Sequence, residues 1–192
     1  VDLVTADGTA TSGDDYSVTT GTVTFAPGVT SATFTVPTID DVLDEPDETL
    51  TVSVTGSTGV VGDTSDTGTG TISDNDDTPA LVIGDATVNE GGDLVFEVSL
   101  SNPSSGTITV GLETADGTAT VAGGDYTAAT GTVTFLPGDT SGTFSVSTTE
   151  DAIDEPDETL TLSATSSTGV VGDTSDTGTG TIVDDDAAPT VT

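Results

Sequence analysis

The chain has 192 residues, of which 34 are Asp or Glu and none is Lys, Arg, His or Cys, for a formal charge of −34. Nucleic-acid binding is excluded because it needs basic side chains, and the lack of Cys removes disulfides, thiol nucleophiles and thiolate metal sites together. The usual nucleophile–base pairs and phosphate clamps have no residues to build them, so the chain is expected not to be an enzyme.

Hydrophobic residues make up 32% of the chain and aromatics 4%, values that lean toward disorder, yet the apolar residues are patterned. Glycine, Thr, Ser and Val are abundant, as in short strands joined by tight turns. No apolar run approaches the ~20 residues of a membrane span, so no direct membrane insertion is expected. The sequence has no initiator Met and no signal peptide, as expected of a mature or excised segment. Trypsin-like proteases find no cleavage site, which suits an extracellular setting; halophilic adaptation would produce a similar acid excess.

The first residues already belong to a repeat. Thr5-Ala-Asp-Gly-Thr-Ala-Thr11 returns as Thr114–Thr120, Asp15-Tyr16 as Asp125-Tyr126, and Gly21–Phe25 as Gly131–Phe135. Asp44-Glu45-Pro46-Asp47-Glu48-Thr49-Leu50 returns as Asp154–Leu160, and Gly59–Ile72 as Gly169–Ile182. Such self-similarity marks tandem modules. Residues 1–77 form a module lacking its first two strands, 78–187 a complete one, and 188–192 the start of a third. The early start fits either a cut from a longer array or a filament whose subunits complete one another by strand exchange. The expected partners are neighbouring modules of the same chain, or further copies in a homo-oligomer or filament.

In the complete module, period-two alternation predicts strands near 80–89, 93–101, 106–114, 131–136, 141–149, 158–165 and 177–183. Leu94, Phe96, Val98 and Leu100 share one face, as do Ile108, Val110 and Leu112. No segment shows the three-four spacing of a helix. Seven strands in about 110 residues predict an all-β fold, tandem seven-stranded immunoglobulin-like antiparallel β-sandwiches.

The acids fall between these strands. Glu90 lies in the first turn, Asp116 follows the third strand, Glu150, Asp151, Glu155 and Glu158 occupy the loop after the fifth, and Asp184, Asp185 and Asp186 follow the last. Antiparallel connectivity sends all four segments to one pole. One carboxylate pair at ~5 Å costs about 3 kcal/mol at an effective dielectric of ~20, and several such pairs would exceed the ~5–15 kcal/mol stability of an ordinary domain. A dissolved cation must therefore supply the missing charge. Hard oxygen donors without His or Cys suit Ca²⁺ or Mg²⁺, and flexible loop carboxylates favour Ca²⁺. Asp63–Asp66 and Asp173–Asp176 also precede the last strands of their modules; turn chemistry favours polar hairpin loops there over a further ion site.

Val88-Asn-Glu-Gly91, Thr114–Thr120, Gly124-Asp-Tyr126, Gly131–Phe135 with Pro137-Gly138, Asp154–Glu158 and Thr181–Asp186 follow in the order seen in the Calx-beta family, which the chain resembles. The resemblance implies several Ca²⁺ per module at the named pole. The implied ligands are Glu90, Asp116, Glu150, Asp151, Glu155, Glu158, Asp184, Asp185 and Asp186, with a carbonyl from Ile153. In the first copy they are Asp7, Asp40, Asp41, Glu45, Glu48, Asp74, Asn75 and Asp76, with the carbonyl of Leu43. Glu90 has no counterpart there and Asn75 stands where the second copy has Asp185, so a weaker site or one ion fewer is expected. The implied cage adjoins the linker Asp74–Pro79, so Ca²⁺ is expected to stiffen the joint between modules. The overall expectation is a calcium-binding structural repeat of a large secreted or cell-surface protein, an extended spacer or adhesin stalk. Regulatory Ca²⁺-sensor domains of a membrane transporter are the competing expectation.

Overall fold

A computed structural model describes residues 1–59 and 61–190; Val191 and Thr192, the last two of the five residues expected to start a third module, lie outside the described residues. Every regular element among the described residues is a strand. In chain order these are β1 (Asp2–Asp7), β2 (Thr20–Thr22), β3 (Glu48–Gly56), β4 (Thr67–Ile72), β5 (Leu81–Ile83), β6 (Ala86–Asn89), β7 (Asp93–Leu100), β8 (Ile108–Asp116), β9 (Thr130–Phe135), β10 (Ser141–Ser147), β11 (Glu158–Thr168) and β12 (Thr177–Val183). The chain divides into two compact units, Val1–Asn75 and Asp76–Thr192.

The second unit is a sandwich of a three-stranded sheet ordered β10-β7-β5 and a five-stranded sheet ordered β6-β12-β11-β8-β9. Its core follows the alternation in the sequence: Leu94, Phe96, Val98 and Leu100 of β7 are buried, against Ile108, Val110 and Leu112 of β8, Val133 and Phe135 of β9 and Leu160 and Leu162 of β11. Tertiary burial of one strand face makes period two the dominant pattern.

The strand expected over 80–89 is two strands in two sheets. β5 pairs antiparallel with β7, while β6 crosses over and pairs parallel with β12, a departure from the expected all-antiparallel ladder. The switch lies at Gly84-Asp85. There the Gly84 N–H donates to the Glu97 carbonyl at 2.8 Å, and Asp85 Oδ1 accepts the Thr179 N–H at 2.7 Å. Both sheets thus keep their edge groups satisfied through the crossing.

β12 reads Thr-Gly-Thr-Gly-Thr, with Gly178 and Gly180 buried and Thr177 and Thr179 exposed. The glycines leave room for the facing sheet. A Cβ on Gly178 would sit 2.6 Å from the Gly84 carbonyl oxygen and 3.1 Å from Phe96 Cδ1, and one on Gly180 would sit 2.8 Å from both Leu94 Cδ1 and Phe96 Cζ.

The first unit is one sheet, ordered β2-β1-β3-β4, with the same registers: Asp7 pairs with Leu50 as Asp116 pairs with Leu160, and Glu48 with Ile72 as Glu158 with Ile182. Its buried core is small, namely Ala10, Tyr16 and Leu50, with Val36, Val52 and Ile72 partly covered. Phe25 is 46% exposed where its repeat partner Phe135 is 1% exposed, because residues 1–75 contain no counterpart of β5–β7 to cover that face.

The glycine spacing yields a paired test. Gly178→Ala should destabilise the second unit by about 1–3 kcal/mol through overpacking, whereas Gly68→Ala at the repeat-equivalent position, with nothing within 4 Å of its would-be Cβ, should cost no such amount. Equal shifts in calorimetric unfolding of the two variants would contradict this account of the Thr-Gly repeat.

Candidate metal centre

Registers bring four loops to one end of the second unit. Leu160 of β11 faces Asp116 at the end of β8, Glu158 faces Ile182 of β12, and Val183 faces Asn89 of β6. The Thr148 N–H donates to the Gly92 carbonyl at 3.0 Å, tying the end of β10 to the turn before β7. Gly91 in that turn has φ +74°, and a Cβ there would lie 2.7 Å from Glu150 Oε2. Only glycine lets the β6–β7 turn and the β10–β11 loop approach this closely.

Two carboxylate trios result. Glu90, Asp184 and Asp186 each bring one oxygen within 4.8 Å of the others, and so do Asp125, Glu155 and Glu158. Glu90 and Asp184 of the first trio and all three acids of the second line one cleft, to which Asp151 also contributes. In the first unit Asp15, Glu45 and Glu48 form the equivalent of the second trio.

The remaining implied ligands have other engagements. Asp116 Oδ1 accepts the Tyr126 hydroxyl at 2.7 Å and the Val121 N–H at 3.1 Å, and it stands outside both trios. Asp7 does the same with Tyr16 at 2.6 Å and the Ser12 N–H at 3.0 Å. Asp185 accepts the Asn89 side-chain amide at 2.9 Å, and its N–H donates to Glu90 Oε1 at 3.4 Å. Asp151 Oδ1 accepts the Ile153 N–H at 2.7 Å, as Asp41 accepts that of Leu43 at 2.8 Å, shaping the two acidic loops. Asp184 Oδ1 accepts the Glu155 N–H at 3.2 Å and thereby links the two trios. In the first unit Asn75 donates to Asp40 at 3.2 Å and the Asp74 N–H donates to Asp47 at 3.1 Å. Asp76 falls in the second unit.

Asp125 and Asp15 join these trios but stand outside the ligand set expected from the sequence; their signal there is the repeated Asp-Tyr pair.

Electrostatics mark the trios as strained. Desolvation first, and then neighbouring carboxylates, raise the pKa values of Glu90, Glu155, Glu158 and Asp186 above the ordinary range, and those of Glu45 and Glu48 in the first unit. The Tyr126 hydroxyl lowers that of Asp116, and the Tyr16 hydroxyl that of Asp7. Burial, with Asp116 as the next cause, pushes Tyr126 up to about 12. Asp186 Oδ2 is buried with no hydrogen-bond partner. An orphaned buried carboxylate oxygen beside two further anions is costly by itself. A hard divalent cation would satisfy it, and the donor set is entirely oxygen. The residues fit such an ion.

The Calx-beta domain profile matches residues 1–78 and 74–186. Over 52 residues the chain is 50% identical to sodium/calcium exchanger 1 of Canis lupus familiaris and to that of Rattus norvegicus, a match covering 27% of this chain and 5% of each exchanger. The chain thus spans a small part of the curated relatives it matches. Among solved structures it resembles the apo-form Calx CBD1 domain, with a TM-score of 0.52 and 28% identity over 57% of this chain and 100% of that one. CBD12 from CALX1.2 aligns at a TM-score of 0.47 and 21% identity, over 94% of this chain and 85% of that one.

The titration shifts carry a signed expectation for the cation-free protein. A raised folded-state pKa means that the folded chain holds more protons than the unfolded one between the ordinary carboxylate range and neutrality, so stability rises as pH falls there. Asp7 and Asp116, lowered, act oppositely: their contribution is present above the ordinary range and is lost as pH falls through their folded values. In chelator, the melting temperature should climb from pH 7 to about pH 5 and then drop in stronger acid. A monotonic fall from neutrality, followed by circular dichroism, would count against the trios as drawn.

Proposed function

Because the chain belongs to the Calx-beta domain family, we propose that it is a tandem calcium-binding repeat in which Ca²⁺ completes the acidic pole of each module. One observation carries this: the buried, unpartnered Asp186 Oδ2 stands within a trio of carboxylates in a chain with no cationic side chain. Glu90, Asp184 and Asp186 would hold one ion and Asp125, Glu155 and Glu158 another; Asp15, Glu45 and Glu48 would hold one in the first unit. The ion supplies positive charge and Lewis-acidic coordination to oxygens that otherwise repel one another. Asp151, Asp185 and Glu150 stand close enough to the trios to add ligands or shape the loops that carry them. The role is binding without catalysis.

The finer reading is structural. Ca²⁺ folds each module and stiffens the array, which serves as a spacer or adhesin stalk outside the cell. A chain free of Cys, Lys and Arg suits that setting, and extracellular modules work with dissociation constants of about 10⁻⁴–10⁻³ M because external Ca²⁺ keeps weak sites filled. A second reading is supported by the 50% identity to sodium/calcium exchanger 1 over 52 residues. In it, the pair of modules senses Ca²⁺ for a transporter and binds it far more tightly.

Calorimetric titration tests both. Ca²⁺ at 100 times its dissociation constant should stabilise the chain by about 2.7 kcal/mol for one site, and chelation should reverse the gain. Asp186→Asn and Glu158→Gln should each weaken binding in the second unit. Millimolar affinity supports the structural role and submicromolar affinity the sensor; unchanged melting with and without Ca²⁺ refutes both.

A further inference from the structure

The single sheet of the first unit presents an apolar face beside a segment of unpaired backbone. Leu3, Val23, Phe25, Ala32, Phe34 and Val54 are among the residues lining an open groove of about 340 Å³. Their repeat partners in the second unit show what such a groove receives. Leu112 and Phe135, the partners of Leu3 and Phe25, are each 1% exposed and share one core with Leu94, Phe96 and Val98 of β7.

The unpaired backbone is Ser31-Ala-Thr-Phe-Thr-Val-Pro37, which repeats Ser141-Gly-Thr-Phe-Ser-Val-Ser147 of β10. β10 pairs with β7 over its whole length, from Ser141 with Ser99 to Ser147 with Asp93. Residues 31–37 belong to no strand, although Phe34 and Val36 are half-buried and Thr33 and Thr35 exposed, the alternation of a strand. One end is anchored as in the second unit: the Pro37 carbonyl accepts the Ser17 N–H at 3.0 Å, as the Ser147 carbonyl accepts that of Thr127.

Room for incoming side chains is present as well. A Cβ on Gly180 would meet Leu94 Cδ1 and Phe96 Cζ, both at 2.8 Å. At its repeat equivalent, Gly70, the nearest atoms all belong to Leu50, at 3.4 Å or more, and Gly68 has nothing within 4 Å.

We propose that this face is a strand-addition site. It takes an extended polypeptide segment from outside residues 1–192 whose apolar side chains alternate as Leu94, Phe96 and Val98 do in β7. The segment pairs its main chain with residues 31–37 and lays an aromatic ring over Gly68 and Gly70. In this mode main-chain hydrogen bonds supply affinity, and pockets for alternate side chains supply selectivity. A second copy of the chain is the poorer occupant. Its own β7 is already paired on both sides, by β5 and β10, and two chains each of formal charge −34 repel. The six groove residues named include none of the acids of the pole, so the site stands apart from the calcium reading.

The test is calorimetric titration of the 192-residue chain with a synthetic peptide of residues 92–102, together with backbone hydrogen exchange. One peptide should bind per chain, and exchange should slow at residues 31–36. A peptide carrying Phe96→Ser should bind about 10-fold more weakly or worse, through loss of the buried ring. Gly70→Ala in the chain should weaken the unaltered peptide by about 10-fold or more, because the new methyl takes the space that Leu94 and Phe96 need. Should Gly70→Ala unfold the first unit, the Phe96→Ser peptide decides alone. No binding at millimolar peptide overturns the proposal, and so does equal binding of a scrambled peptide of the same composition or of the Phe96→Ser peptide. Dimerisation of the chain alone that protects residues 31–36 also overturns it, because the occupant is then a second copy.

Discussion

Electrostatic repulsion among carboxylates that no side chain in the protein can neutralise is the constraint on which the acidic pole depends. Glu90, Asp184 and Asp186 gather their oxygens within 4.8 Å, as do Asp125, Glu155 and Glu158. The backbone answers part of that charge: N–H groups of Val121, Ile153, Glu155 and Asp185 each donate to an acid of the pole. These dipoles order the loops, but they are partial charges set against full ones. The raised pKa values of the glutamates and the unpartnered Asp186 Oδ2 record what the backbone leaves unanswered.

The sandwich beneath the pole carries that load by holding its strands in register. Phe96 reaches across to Gly178 and Gly180, and the absence of two side chains on β12 lets the sheets close to contact. β12 ends at Val183, and Asp184 and Asp186 follow directly from it. The first unit shows the same registers without the facing layer. Its pole still assembles a trio, because Asp15, Glu45 and Glu48 are placed by β1, β3 and the Tyr16–Asp7 bond within one sheet. Sheet pairing and side-chain clamps are thus enough for the second trio, whereas the first trio needs the turn after β6.

Strand positions, the inward set Leu94, Phe96, Val98 and Leu100, and the polar end where acids collect were all legible in the sequence, because alternation and turn residues are local signals. The division of the first strand at Gly84-Asp85 was not. A glycine followed by an aspartate reads equally as a bulge, and only pairing with two different partners, β7 and β12, makes it a crossing.

By itself the sequence determined the chemistry: hard oxygen donors, no basic or thiol group, and two copies of the same acidic loops. It did not determine which acids meet. Asp116 sits at a strand end with one oxygen bonded to the Tyr126 hydroxyl, while Asp125, nine positions further along the chain, joins Glu155 and Glu158. Spacing along a chain constrains neighbours only within a strand or turn. Where a loop returns is decided by long-range hydrogen bonds and by burial of one aromatic ring, and these exist only once the sheets have formed.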